Sequence, residues 1–242
     1  MSDTILHARD GEVTRITINR ADVGGLVSDG MAAELTAMID EAAAVSKVIL
    51  FASAGEDFCL GRDRGAHPAE LPKDALRYRE RSEVVFKFYG AFRRAPVPVI
   101  GLVQGRALGF GCAMAALFDI TIAAESARFA LPEMGHNIMP TMAMSSLIDR
   151  VGYKGLLYLT YSTAEIDART ALAFGLVSQV VPDGELETAA DALLGALAKA
   201  PLAAVRAVKE YGRAANAIDI SKATDFARNM HAAVNTSAAM GR

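Results

Sequence analysis

What this chain does not contain narrows its function first. Its 242 residues hold 25 Lys and Arg against 28 Asp and Glu, a formal net charge of -3, and the basic residues are scattered rather than blocked. Proteins that bind nucleic acid through its backbone need a basic stripe to displace counterions from phosphate. None is written here, so no nucleic-acid partner is expected. No segment approaches the ~20 consecutive apolar residues of a spanning helix, and the N-terminal MSDTILHARDGEV has no apolar stretch of the signal-peptide kind. The expectation is a cytoplasmic protein with no membrane partner. Cysteine is nearly absent: Cys59 and Cys112 both sit inside apolar segments, which reads as free buried thiols in a reducing compartment. Fixed-period repeats and low-complexity linkers are missing too.

What is present suits one large domain, or a core with a small appendage: 52% of residues are hydrophobic and 22% charged. VTRITIN (Val13 to Asn19) alternates apolar and polar residues, whereas VILF (Val48 to Phe51) and VIGLV (Val99 to Val103) are continuous apolar runs of buried strands. DITIA (Asp119 to Ala123) and VSQVV (Val177 to Val181) add further short strands. Between them, Ser28 can cap a helix running to about Ala44, and Lys73 to Arg94 carries Val84, Val85, Phe88 and Phe92 on a helical period. Strands alternating with helices predict an α/β class with crossover helices. Beyond Gly184 the pattern becomes helical, over Glu185 to Lys199, Leu202 to Ala214 and Asp219 to Val234, with Pro201 and Ala215–Asn216 as breaks. Such a tail needs a surface to pack on, its own core or a neighbouring subunit, so oligomerisation is expected.

Chemistry concentrates between Pro96 and Glu133. A strand that ends in a glycine turn and opens a helix leaves backbone N–H groups unpaired where the helix dipole favours negative charge. ALGFGC (Ala107 to Cys112) can present the N–H of Phe110 in this way, and the earlier GEDFCLGRDRG (Gly55 to Gly65) can turn at Gly61 to present the N–H of Arg62. Each turn alone is better explained as a plain structural turn. Glu133, after Pro132 in an apolar context, is placed like a proton-transfer group.

Taken in order, FCLGRD, PVPVIGLVQGRALGFGC, LFDITIA, FALPE and STAEIDARTALAFGLVSQVVPD resemble the enoyl-CoA hydratase/isomerase family, the crotonase superfamily, over about Val13 to Ala214. In EIDARTALAFGLVSQVVP, Asp167 is a natural N-cap and Gly175 a natural helix terminator. The resemblance implies a crotonase-like ββα spiral core over residues 1–184, which binds acyl-CoA. It also implies a C-terminal helical trimerisation region over 185–242, and a homotrimer or a dimer of trimers. It implies thioester enolate chemistry with neither metal nor redox cofactor, coenzyme A being part of the substrate. Carried over, Arg62 and Phe110 supply the oxyanion-hole N–H groups and Glu133 the catalytic carboxylate. The substrate-binding candidates are Leu60, Gly61, Asp63, Arg64, Gly109, Pro132, His136, Pro140 and Thr141.

Departures from the family pattern sharpen the reading. Hydratases of the family carry a second glutamate where this chain has Ala113. Hydration needs one group for water and another for carbon, whereas moving a double bond needs one group that takes and returns a proton. Isomerisation of a 3-enoyl to a 2-enoyl thioester is therefore expected. Hydration, thioester hydrolysis or decarboxylation is the alternative on the same scaffold, and a non-catalytic acyl-CoA binder the alternative of another class. Phe110 stands where glycine is usual, which predicts local backbone strain, absorbed by the flanking Gly109 and Gly111, or a narrowed acyl pocket. His136 is a secondary acid/base candidate, and Thr141 argues against a covalent acidic nucleophile. Asp63 is expected to fix its turn, Arg64 to reach phosphate, and Met134, Met139, Met142 and Met144 to line a tunnel or fill core.

Overall fold

The computed structural model describes residues 3–65 and 73–240. Its central sheet runs, edge to edge, through β1 (Ile5–Asp10), β2 (Val13–Ile18), β3 (Val48–Ser53), β4 (Val99–Val103), β6 (Ile120–Ala124) and β9 (Gln179–Val181). β1 and β2 pair antiparallel and every later neighbour pairs parallel. A smaller sheet holds β5 (Arg106–Leu108), β7 (Arg128–Ala130) and β8 (Ile166–Asp167). β4 passes through Gln104 and Gly105 into β5, and β6 passes through residues 125–127 into β7. These two turns of the chain each give one strand to each sheet before a helix follows, the repeat of the expected ββα spiral.

Period-two geometry explains the continuous apolar strands, because both faces of the sheet are covered. On one face Ile49 and Phe51 of β3 join the main core with α1 (Asp29–Val45) and α2 (Ala75–Arg94), through Leu35 and Ile39 of α1 and Val85, Phe88 and Phe92 of α2. On the other face Val48, Leu50, Ile100, Leu102 and Ile122 meet Leu193 and Leu197 of α7 (Leu186–Lys199). The first helix of the predicted tail therefore serves the core sheet directly. The predicted Ser28 cap is formed, its Oγ accepting from Met31 N at 3.2 Å, and α2 is capped by Asp74, whose Oδ1 accepts from Arg77 N at 3.0 Å. Asp167, before α6 (Ala168–Phe174), accepts from Thr170 N at 2.7 Å, and Gly175 ends that helix at φ +84°.

Three further helices complete the main body: α3 (Phe110–Leu117), α4 (Thr141–Leu147) and α5 (Tyr153–Ser162). The tail continues as α8 (Leu202–Ala215) and α9 (Ile220–Asn235), which pack on one another through the rings of Tyr211 and Phe226. Among the described residues no single helix is long and apolar enough to cross a membrane.

One largely buried ion pair ties α8 to the core. Lys209 Nζ donates to Asp119 Oδ2 at 2.7 Å, to Phe92 O at 3.0 Å and to Val97 O at 2.9 Å, while Val99 N donates to the same carboxylate oxygen at 2.8 Å. Burial pulls the Lys209 ammonium below its ordinary pKa, against the opposing pull of Asp119. Lys209→Met leaves the Asp119 charge without its counter-ion and is expected to cost about 3 kcal/mol. A urea midpoint measures it, and adding Asp119→Asn is expected to recover part of the loss.

Candidate functional site

Two backbone bridges build the site from distant parts of the chain. Beyond β3, Cys59 N donates to Arg106 O at 3.1 Å and Leu108 N donates to Cys59 O at 2.9 Å, which docks the 57–62 segment beside β5. Three residues on, Val27 N donates to Gly61 O at 3.1 Å and Asp63 N to Val27 O at 2.9 Å. In a parallel bridge of this kind the central residue's own N–H points away from its partner strand. The N–H of Arg62 is thus left over, and it meets no acceptor among the described residues.

The second N–H arises at the start of α3. Gly109 N donates to Ala130 O at 2.9 Å, and Gly109 itself turns the chain at φ +51°, ψ -108°. Phe110 is then the first helical residue, and its N–H has no acceptor among the described residues. The strain expected at Phe110 is carried by Gly109: Phe110 is absent from the positive-φ residues, and its buried ring stacks on Phe88 with centroids 5.3 Å apart. The two turns are in contact. A Cβ on Gly111 would lie 2.1 Å from Cys59 O, so only glycine allows α3 to approach this closely. Gly111→Ala is expected to cost about 2–3 kcal/mol through overpacking and to pry the two N–H groups apart. A fall in both thermal midpoint and activity is the expected result.

Glu133 enters from β7 by way of Leu131 and Pro132, and opens a single 3-10 turn ending at His136. Its Oε1 lies 3.0 Å from the place a Cβ would occupy on Gly109, so the carboxylate stands directly over the turn that presents Phe110 N. Its Oε2 is buried without a hydrogen-bond partner among the described residues. Burial is the main cause that raises its pKa above the ordinary carboxylate value, with its own backbone N–H and His136 acting the other way. Such a group is a desolvated base held without a structural role. Ala113, fully buried, offers only a methyl group, and no second carboxylate is among the groups that shift Glu133.

The remaining candidates separate by position. Gly61 and Gly109 are buried, Leu60 and Pro132 half-buried, and Pro140 is buried at the start of α4. Asp63 has the structural role expected of it: its Oδ2 accepts from Arg20 Nη1 at 2.6 Å and its Oδ1 from Gly65 N at 2.8 Å, so Arg20 above all holds its pKa down. Arg62 turns its guanidinium to Asp29, so its side chain is anchored while its N–H stays free. Arg64 is exposed on the wall of a cavity of about 550 Å³ that also reaches Arg62, Asp29 and Tyr78. His136 and Thr141 are exposed, as are Met134 and Met139, while Met142 and Met144 pack against the core. Both cysteines are free and buried, as expected, and burial pushes the Cys59 thiol up to about 12. Arg20 and Asp29, which fix the Arg62–Asp63 turn, carried no local sequence signal, because each pairs across a long stretch of chain.

Comparisons with known proteins bear on the family and the fold. The family model for enoyl-CoA hydratase/isomerase matches residues 8–241. A Mycobacterium bovis protein named a probable enoyl-CoA hydratase is 30% identical over 97% of this chain and 91% of its own length. The short-chain-enoyl-CoA hydratase of Clostridium acetobutylicum is 28% identical over 93% of this chain and 86% of its own. The crystal structure of an enoyl-CoA hydratase from Mycobacterium smegmatis superposes with a TM-score of 0.89 at 27% identity, over 96% of this chain and 91% of that one. A Thermobifida fusca neighbour solved in complex with acetoacetyl-CoA gives a TM-score of 0.84 at 28% identity, over 96% and 94%. A match of this extent means that the chain belongs to the enoyl-CoA hydratase/isomerase family.

Proposed function

We propose that this protein acts on acyl-CoA thioesters and moves a carbon–carbon double bond from the 3- to the 2-position. The observation that carries this reading is the pairing of one desolvated carboxylate, Glu133, with a buried Ala113 where a second would stand. Glu133 takes a proton from carbon 2, and the electron pair moves onto the thioester oxygen. That oxygen gains negative charge between the N–H groups of Arg62 and Phe110, where preorganised donors are worth most. The same carboxyl then returns the proton to carbon 4, which leaves the double bond conjugated with the carbonyl and Glu133 ionised for the next cycle. No water is consumed. The acetoacetyl-CoA complex of the Thermobifida fusca neighbour supports a thioester as the ligand class.

Hydration of a 2-enoyl thioester is the second reading, favoured by the names of the relatives. It requires a second group to hold and deprotonate water. His136 is exposed and three residues past Glu133, which makes it a poor substitute. Initial rates with a 3-enoyl-CoA and the matching 2-enoyl-CoA separate the two readings: isomerisation is expected to be the faster by at least ~10-fold, a difference of about 1.4 kcal/mol in barrier. Faster hydration would replace the first reading with the second. We further infer assembly as a homotrimer or a dimer of trimers, in keeping with the exposure of Tyr153 (73%), Tyr161 (69%) and Ile220 (80%). Sedimentation analysis tests that inference, and a monomer at micromolar concentration would contradict it.

A further inference from the structure

The N–H of Arg62 is one end of a hydrogen-bonded chain whose other end is a guanidinium. A trans peptide is planar, and its C=O and N–H point in opposite directions. The peptide joining Gly61 to Arg62 is held at its carbonyl, because Val27 N donates to Gly61 O at 3.1 Å. That bond aims the Arg62 N–H the opposite way. The peptide joining Leu26 to Val27 is held at its own carbonyl in turn, because Arg20 Nη1 donates to Leu26 O at 3.2 Å. Two peptide planes in series thus connect the cation of Arg20 to the unpaired N–H of Arg62.

Arg20 is itself fixed. The same Nη1 donates to Asp63 Oδ2 at 2.6 Å and lies 3.9 Å from Met31 Sδ near the start of α1, and the side chain is 20% exposed. The loop that carries the chain lies close against its neighbour: Leu60 N donates to Gly24 O at 2.9 Å, and a Cβ on Gly25 would stand 2.4 Å from Phe58 O. With Val27 N on Gly61 O and Asp63 N on Val27 O, the backbone closes this loop by its own bonds. The guanidinium adds charge and aim to a loop already closed. Hydrogen bonds in such a chain polarise one another, and a partly buried cation on the first carbonyl strengthens each donor after it.

We propose that Arg20 is a positioning residue of the oxyanion hole, which aims and polarises the Arg62 N–H through the Leu26 and Gly61 carbonyls and so strengthens its bond to the thioester oxygen as charge develops there. The proposal rests on the acyl-CoA reading above. Its effect falls on the enolate-like state and little on ground-state binding, because the oxygen gains its charge only as the proton leaves carbon 2.

Butyryl-CoA carrying an isotopically heavy carbon at its thioester carbonyl cannot react by double-bond migration, and it reports on the hole by infrared difference spectroscopy. Bound to the wild-type protein, its C=O stretch is expected to fall below that of the free ligand in water. In Arg20→Met most of that fall is expected to be lost while the calorimetric affinity changes little. On a 3-enoyl-CoA, kcat of the same variant is expected to drop ~10²-fold with KM nearly unchanged. Arg20→Lys keeps a cation and donors, and is expected to lie between wild type and Arg20→Met in both readouts. Asp63→Asn spares the bond to Leu26 O and is expected to lose less than Arg20→Met; equal losses would assign the effect to the ion pair and overturn the proposal. Loss of rate with an unchanged carbonyl frequency in either Arg20 variant, or a change in melting temperature alone, also overturns it and leaves the acyl-CoA reading intact. A wild-type protein that binds butyryl-CoA without lowering its carbonyl stretch overturns the oxyanion hole and the proposal with it, and one that does not bind butyryl-CoA overturns the acyl-CoA reading as well.

Discussion

Glu133→Gln is expected to lower kcat for isomerisation of a 3-enoyl-CoA by ~10⁴-fold, the upper end of what general acid–base catalysis contributes. The loss is placed at that end because in the proposed isomerisation one carboxyl does both proton transfers, with Ala113 buried and His136 exposed. KM is expected to change little, since the N–H groups of Arg62 and Phe110 remain. In the wild type the ionised form abstracts the proton, so kcat/KM rises with pH through the pKa of Glu133. Burial places that rise above the ordinary carboxylate range.

Stability is expected to move the other way. A carboxyl whose folded pKa lies above its unfolded value binds extra protons in the folded state, so its ionisation destabilises the fold as pH rises through the folded pKa. Glu133→Gln removes that cost. The variant is therefore expected to melt higher than the wild type at neutral pH, and the difference is expected to vanish below the unfolded carboxyl value of ~4.3. A variant that keeps its rate, or melts lower at neutral pH, contradicts the role given to Glu133.

Arg62→Pro is expected to lower kcat/KM by ~10²–10³-fold, about 3–4 kcal/mol of transition-state stabilisation. Proline removes the backbone N–H and leaves every carboxylate in place. The Val27 bridge survives in principle, because it uses Gly61 O and Asp63 N and not the Arg62 N–H. The control is Arg62→Ala, which breaks the ion pair with Asp29 but keeps the N–H. That partly exposed pair is worth little, so Arg62→Ala is expected to lose less than ~10-fold in rate. Equal losses in the two variants would assign the effect to the guanidinium and remove the N–H from the oxyanion hole.

The strands and helices legible in the sequence were those whose apolar pattern or cap is local. VILF and VIGLV read as buried strands because α1 and α2 cover one face and α7 the other, and Ser28, Asp167 and Gly175 marked helix ends through their own backbone chemistry. β5, β7 and β8 were not legible: at two or three residues each, their existence depends on one another and not on any run of β-formers. The glycine turns were visible, but what makes them a site is the Cys59–Ala107 and Val27–Arg62 bridges, which join segments far apart in the chain. Glu133 was legible through Pro132 and its apolar setting, whereas its closeness to Gly109 was not. Phe110 was read as a bulky residue where glycine is usual, with its strain absorbed by the flanking glycines, and the structure carries the unusual torsion at Gly109.

The central claim is that one carboxylate over two N–H groups moves a proton without recruiting water. Incubating the protein with a 3-enoyl-CoA, and separately with the matching 2-enoyl-CoA, in water enriched in heavy oxygen tests it by the mass of the product. The account predicts a conjugated 2-enoyl-CoA of unchanged mass from the first incubation, with label entering far more slowly in the second. Rapid formation of a labelled 3-hydroxyacyl-CoA from the 2-enoyl thioester would contradict it.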